Sequence, residues 1–390
     1  MKLGSARVIA VGLLFGLLLG ACAAPTPTAT PVPTPTPVPV AATPTPSPLL
    51  KAKQEAEARG YIFETSHDDI VAKAKAEGKM RVLSGFSDYK GMESAFKADY
   101  PFLDVYVEEI TGTEAAQRFI MELKSGTAKG WDASHLSLEI YSEYQPHLSK
   151  FDILGMAQQG VLSIAVAIID PVNRNVAAPG SSIRVVAYNK NLIAADKVPN
   201  TWEDFLKPEF KGRKFVADIR PDDMAFLVPA WGLDKTVDFA RKIALQEPVW
   251  ARGASKVVTS MNAGEYALSV LMGFDKIKRT QDKDPTGSLV YKIVEPVPAA
   301  LRDPSGVLLT ADHPYAGLLW IEFAATPNGQ KVLDETEPYG GSIFVPGSAL
   351  EGVIRGKELS LVEWDLYPKI GEYGKKIVEA YGFPVAEISK

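Results

Sequence analysis

The chain has 390 residues, with 42 Lys plus Arg against 47 Asp plus Glu and a formal net charge of −5. Charges of both signs are interspersed, which excludes the basic footprint of a nucleic-acid binder. At 46% hydrophobic residues the chain can bury a core, and a single cysteine excludes a disulfide framework.

The N-terminus opens with Lys2 and Arg7 and an almost unbroken apolar run from Val8 to Leu19. That run is short for a bilayer span and stands at the extreme N-terminus, so residues 1–21 read as a signal peptide. The run ends in Leu19-Gly20-Ala21-Cys22, which resembles the bacterial lipobox, with Gly20 where Ala or Ser is more usual. The resemblance implies lipid attachment at Cys22, the only cysteine, and two acyl chains give stable membrane binding. Residues 22–50 are rich in Pro, Thr, Ala and Val. They cannot bury a core and read as an extended, disordered tether, of which Pro25–Pro48 reaches roughly 75 Å at about 3.1 Å per residue.

Residues 51–390 exceed what one small core needs and are expected to form two lobes. Ser66 and Asp69 cap a helix carrying Ile70, Val71 and Ala74, which Gly78 stops. Met80–Ser84 reads as a strand, a helix follows with Met92 and Phe96, and Leu103–Val107 alternates as a strand. Thr111 to Glu114 offer a capping box for a helix holding Phe119, Ile120 and Leu123, and Trp131–Leu138 returns into the fold. This β-α-β-α order predicts an α/β fold with a largely parallel sheet. A second lobe is expected from Ile183–Tyr188 onward. It includes a helix capped at Thr201–Asp204, a strand at Lys214–Ala217 and helices at Met224–Ala230, Lys235–Leu245 and Lys256–Asn262. Val290–Val294 is read as the crossing back, with closing helices at Tyr315–Ala325 and Lys375–Tyr381. Lobe 1 is thus about 60–182 plus about 295–390, and lobe 2 about 183–294.

Several segments resemble one family: Thr111-Gly112-Thr113-Glu114-Ala115-Ala116-Gln117-Arg118, Thr201-Trp202-Glu203-Asp204-Phe205, Val228-Pro229-Ala230-Trp231-Gly232, Ala311-Asp312-His313-Pro314-Tyr315-Ala316 and Glu379-Ala380-Tyr381-Gly382-Phe383-Pro384. Together with Arg220-Pro221 and Asp284-Pro285-Thr286-Gly287, they resemble the bacterial extracellular solute-binding proteins of ABC transporters, in the iron(III)-transport-like branch. The resemblance implies a two-lobed periplasmic-binding-protein type II fold with a ligand cleft between the lobes. It also implies ABC permease subunits as partners and no catalysis. Ferric-binding relatives hold the metal with two adjacent tyrosines just beyond a Gly-Glu and a short apolar stretch. Here Gly264-Glu265 leads through Tyr266 to Met272-Gly273-Phe274, so the pair is absent.

Ligand contacts in such a fold come from strand ends, helix N-termini and the opposing lobe. The candidates are Ser84, Gly85, Phe86 and Ser87 after the first strand, Thr113 at a helix start and Ser134 at a third strand end. Arg220 and Arg252 offer guanidinium forks for carboxylate or phosphate. Tyr188, Tyr266 and Phe274 offer aromatic walls. His67, His135, His147 and His313 lack metal-ligand spacing. No serine elbow, phosphate loop or paired-acid motif is present. The expectation is a monomeric, extracytoplasmic, membrane-anchored lipoprotein that captures a small anionic solute, without a cofactor and without enzymatic activity. The alternatives are a ferric or ferric-chelate binder and a ligand-sensing subunit that signals through a membrane partner.

Overall fold

The computed structural model describes residues 47–383 except 87–88, 111, 138–139, 285–286 and 337–338. Cys22, the signal segment and nearly all of the tether lie outside the described residues. The sequence reading carries the tether to residue 50, but a helix already starts at Pro48. Ser47 Oγ accepts from Leu50 N, proline occupies the first helical turn, and the helix Pro48–Ala58 buries Ala56 in a core.

The strands in chain order are β1 (Lys79–Ser84), β2 (Asp104–Glu109), β3 (Ala133–His135), β4 (Val176–Ala177), β5 (Gly180–Asn189) and β6 (Val216–Asp218). They continue as β7 (Val249–Ala251), β8 (Leu268–Gly273), β9 (Leu289–Lys292), β10 (Val297–Arg302), β11 (Ser305–Val307) and β12 (Leu359–Val362). One sheet runs β2-β1-β3-β11-β4, and the other runs β12-β10-β5-β8-β6-β7 with β9 also paired to β5. In the first sheet β1 lies parallel to β2 and β3, with β11 antiparallel to β3 and β4. The opening helices follow their local signals. Ser66 Oγ accepts from Asp69 N, Gly78 ends the helix His67–Glu77 at φ 69°, and Gly126 ends Thr113–Ser125 at φ 71°. The capping expected near Thr111 takes another form, because Gly112 occupies the cap position and no side chain caps this helix.

The chain passes between sheets from β4 to β5, from β10 to β11 and, through intervening helices, from β11 to β12. The crossing read at Val290–Val294 is therefore displaced: β9 stays in the second sheet on β5, and the return comes at Arg302–Ser305. Of the segment 295–390 assigned to lobe 1, β11 and the helix Pro314–Ala325 pack there, whereas other parts join the second sheet. β10 pairs with β5 and β12, and Ile377 and Tyr381 of the helix Tyr367–Tyr381 are buried in a core of the second lobe. The helix read at Thr201–Asp204 is a single 3₁₀ turn, Glu203–Leu206, with Thr201 Oγ1 accepting from Asp204 N. The helix read at Met224–Ala230 is two short ones, Asp222–Ala225 and Val228–Trp231, with Pro229 in the first turn of the second.

Strand alternation divides the second lobe's apolar residues between two cores. Ile183, Val185 and Ala187 of β5 face one, and Val186 faces the other. The first lobe's core is organised by the apolar helix Pro314–Ala325, which packs on the helix His67–Glu77. Glu77 accepts from Tyr315 N (3.1 Å) and Ala316 N (2.8 Å), an acid at a helix N-terminus where the peptide dipoles favour it. Buried Glu322 of the same helix accepts from Ser163 N (2.6 Å) and pairs with His67 (2.8 Å). Trp320, 2% exposed, meets Phe96 edge-on at 5.4 Å. Replacing Trp320 by Ala therefore removes a large buried ring, and urea titration is expected to show a loss of about 3–5 kcal/mol. A loss below about 1 kcal/mol would contradict this packing.

Candidate functional site

A cavity of about 670 Å³ opens on the second lobe, beside the place where the chain crosses to the first. β5 contributes Ser182 and Arg184, the end of β8 contributes Gly273, the helix Phe274–Lys283 contributes Asp275 and Lys276, and the segment after β6 contributes Arg220, Asp222, Asp223 and Phe226. Leu301 and Arg302 of β10 and Tyr367 of the C-terminal helix complete it beside the lobe crossing. Tyr367 is fixed by its OH donating to Leu301 O at 2.7 Å.

A β-bulge aims these groups. Tyr188 and Ala187 pair with Leu268 and Ser269, whereas Val185 and Arg184 pair with Met272 and Gly273, so β8 carries one extra residue. Leu271 takes φ 54° within the bulge, a conformation that costs a non-glycine residue of the order of 1–3 kcal/mol. The bulge sets Gly273 opposite Arg184 and turns Asp275 and Lys276 into the cavity.

The charged groups are held in pairs. Arg184 Nε donates to Asp223 Oδ1 (2.5 Å), Nη1 donates to Ile183 O (3.3 Å), and the guanidinium lies 4.8 Å from the centre of the Phe226 ring. Arg220 donates through Nε (3.1 Å) and Nη2 (2.7 Å) to Asp218. Lys276 Nζ stands 2.8 Å from Asp275, and Arg302 Nη2 is 3.4 Å from Asp303. Burial raises the pKa of the Asp275 carboxyl, but Lys276, Arg302 and Arg184 outweigh it and leave the pKa below the usual carboxylate value. The cationic field of three side chains therefore converges on this point.

Among the described residues proposed from sequence as ligand contacts, Arg220 alone lines the cavity. Phe274 misses by one position: its neighbours Gly273 and Asp275 face the cavity, while its ring is buried between Tyr291 (4.8 Å) and Tyr339 (5.0 Å). Arg252 is exposed, two residues before the lining Ala254. Tyr188 and Tyr266 pack half-buried against the two cores of the second lobe, at the far end of the β5–β8 pair from Arg184. Ser84 is buried and accepts from Phe86 N (3.2 Å), closing its own turn, and Phe86 is in the first lobe's core. Ser134 is buried and donates to His135 O (2.8 Å). Gly85 has a steric reason to be glycine, because a Cβ there would fall 2.5 Å from His135 Nδ1. Thr113 opens its helix, and Ser87 lies outside the described residues.

His135 is the first lobe's titratable group at this edge. Its Nδ1 is buried without a hydrogen-bond partner, 4.0 Å from Asp303 Oδ1. Burial, with a smaller push from Arg302, lowers its pKa to about 4. A ring whose folded pKa lies below the unfolded value of 6.5 binds its proton less tightly when folded. Its contribution is complete above pH 6.5 and is lost as pH falls toward 4. Between pH 7 and 4.5, urea unfolding of the native protein is expected to lose about 2 kcal/mol more than that of His135→Gln. Parallel pH profiles would contradict a ring held neutral at His135.

Comparison with known proteins follows the same outline. The family model for bacterial extracellular solute-binding proteins matches residues 162–367, which is 206 of the 390 residues. No curated protein matches the sequence. Iron-bound HitA from Pseudomonas aeruginosa superposes with a TM-score of 0.56 at 14% identity, over 77% of this chain and 99% of its own. Apo ferric ion-binding protein A from Pasteurella haemolytica gives 0.61 at 16%, over 80% and 99%. Trichodesmium IdiA (FutA), in complex with iron and citrate, gives 0.59 at 16%, over 79% and 100%. At such identities the likeness is one of fold, the two-lobed periplasmic-binding-protein type II architecture. By its family match and its fold, the chain belongs to the bacterial extracellular solute-binding proteins.

Proposed function

We propose that the protein is the solute receptor of an ABC importer, capturing a small anionic solute in the cavity between its lobes and passing it to permease subunits. In this reading a lipid on Cys22 and the Pro/Thr segment hold it outside the cytoplasmic membrane. The observation that carries the anion is the convergence of Arg184, Arg220, Arg302 and Lys276 on one cavity. Guanidinium groups recognise carboxylate and phosphate through paired N–H donors, and apolar neighbours such as Phe226 and Leu301 strengthen that recognition by excluding water. Each cation now leans on an aspartate, so an incoming anion competes for donors already in position rather than ordering them from solution.

One observation favours a second form of the same reading, a ferric chelate. A bare ferric ion calls for phenolate and carboxylate oxygens, whereas buried Met272, Gly273 and Phe274 stand beyond Gly264-Glu265. Among the described residues, no group of three or more His, Cys, Asp or Glu could hold a metal ion. A chelate such as ferric citrate presents carboxylates instead, and one structural neighbour is described with iron and citrate.

Calorimetric titration with citrate, ferric citrate, phosphate and ferric ion tests both forms. An anion or its chelate is expected to bind, and Arg184→Lys, which keeps the charge and loses the fork, is expected to weaken binding about tenfold or more. Tight binding of ferric ion alone with a phenolate charge-transfer colour would overturn the anion reading. So would an Arg184→Lys protein that binds the anion as tightly as the native one.

A further inference from the structure

A second concavity adjoins the cavity. It has a volume of about 410 Å³ and lies between the helices Ala254–Asn262 and Phe274–Lys283. Lys276, Arg279 and Lys283 line it from one side, three cations at a spacing that sets them on one face of their helix. From the other side come Ser255, Thr259 and Asn262, and the lining acid is Asp284, to which Asn262 Nδ2 donates at 2.8 Å. Among the described residues neither Arg279 nor Lys283 forms an ion pair, although exposed Asp282 is on the same helix. Lys278 leaves this face, donating to Gln281 (3.2 Å) and standing 5.3 Å from the centre of the Tyr339 ring. Like charges three and four residues apart disfavour a helix, and a counter-anion in the groove would relieve that repulsion.

The groove and the cavity share Lys276 as a common wall, and the consecutive residues Ala254 and Ser255 line the cavity and the groove respectively. We propose that the groove is a second anion subsite, so that the solute is an elongated polyanion with one acidic group in the cleft and another between these two helices. The proposal rests on the anionic reading of the cleft. Lys276 to Lys283 spans about 10 Å along the helix axis, which sets the scale of the extension. Oligocarboxylates and linear phosphates both have this chemistry.

The test is titration of the full chain, at low ionic strength, with orthophosphate, pyrophosphate and tripolyphosphate, and with citrate as the carboxylate arm. The native protein is expected to gain affinity with phosphate chain length. Replacing Arg279 and Lys283 together by Gln is expected to abolish that gain, at least tenfold for tripolyphosphate, while leaving orthophosphate binding unchanged. Arg184→Lys is expected to weaken every phosphate. Because Arg279 and Lys283 reach into solvent, the double variant is expected to keep its circular dichroism and melting midpoint. Affinity that does not rise with chain length, or a double variant that binds tripolyphosphate as the native protein does, would overturn the subsite. If the double variant loses tripolyphosphate while Arg184→Lys loses nothing, the groove binds anions by itself, and both the cleft reading and the spanning solute fall.

Discussion

Gly180 and Arg302 are register partners at the place where β5 enters the second sheet and β10 leaves it. A Cβ on Gly180 would lie 2.8 Å from Asp303 Oδ2 and 3.2 Å from Gly340 O, so a side chain there would displace the Asp303 carboxylate and crowd the Gly340 backbone. Asp303, at φ 58°, turns the second crossing back toward β11. This contact fixes where the lobes meet. It sets Arg302 on the wall of the cavity and brings Asp303 within reach of His135. Of the three passages between the sheets, these two are short and side by side, as a hinge needs, since a few residues can absorb the rotation while the cores move intact.

The electrostatics follow from that placement. Each cation of the cavity is paired or close to an aspartate: Arg184 with Asp223, Arg220 with Asp218, Lys276 with Asp275 and Arg302 with Asp303. Removing one member leaves a partly buried charge without its partner, which is costly. The pairs therefore hold the cavity's shape. His135, kept neutral by burial, adds no charge on the first-lobe side.

The opening of the fold is legible because its signals are local. Ser66, Gly78 and Gly126 act through their own turns, and β1, the helix after it and β2 follow in chain order. The lobe assignment of the C-terminal third is not legible, because β12 and the helix Tyr367–Tyr381 are drawn to the second lobe by partners far away in sequence. The cavity's lining is legible only in part, for a similar reason. Arg220 follows a recognisable strand, whereas Arg184 is hidden inside β5 and Asp275 reaches the cavity only through a bulge that alternation cannot foretell. One signal was available: Arg184 is the single charge in the apolar run Ile183–Tyr188, and a charge there needs a partner or a cavity. The aromatic candidates failed to converge because Phe274 is held by Tyr291 and Tyr339 and is buried in the core they form.

The central claim is that a ligand anion is held between the lobes and that the lobes close on it. Solution X-ray scattering of the protein, alone and saturated with the tightest-binding anion, tests this directly. The account expects a smaller radius of gyration with the anion bound, and no change for Arg184→Lys at the same anion concentration. Identical scattering curves for the native protein with and without a demonstrably bound anion would contradict it.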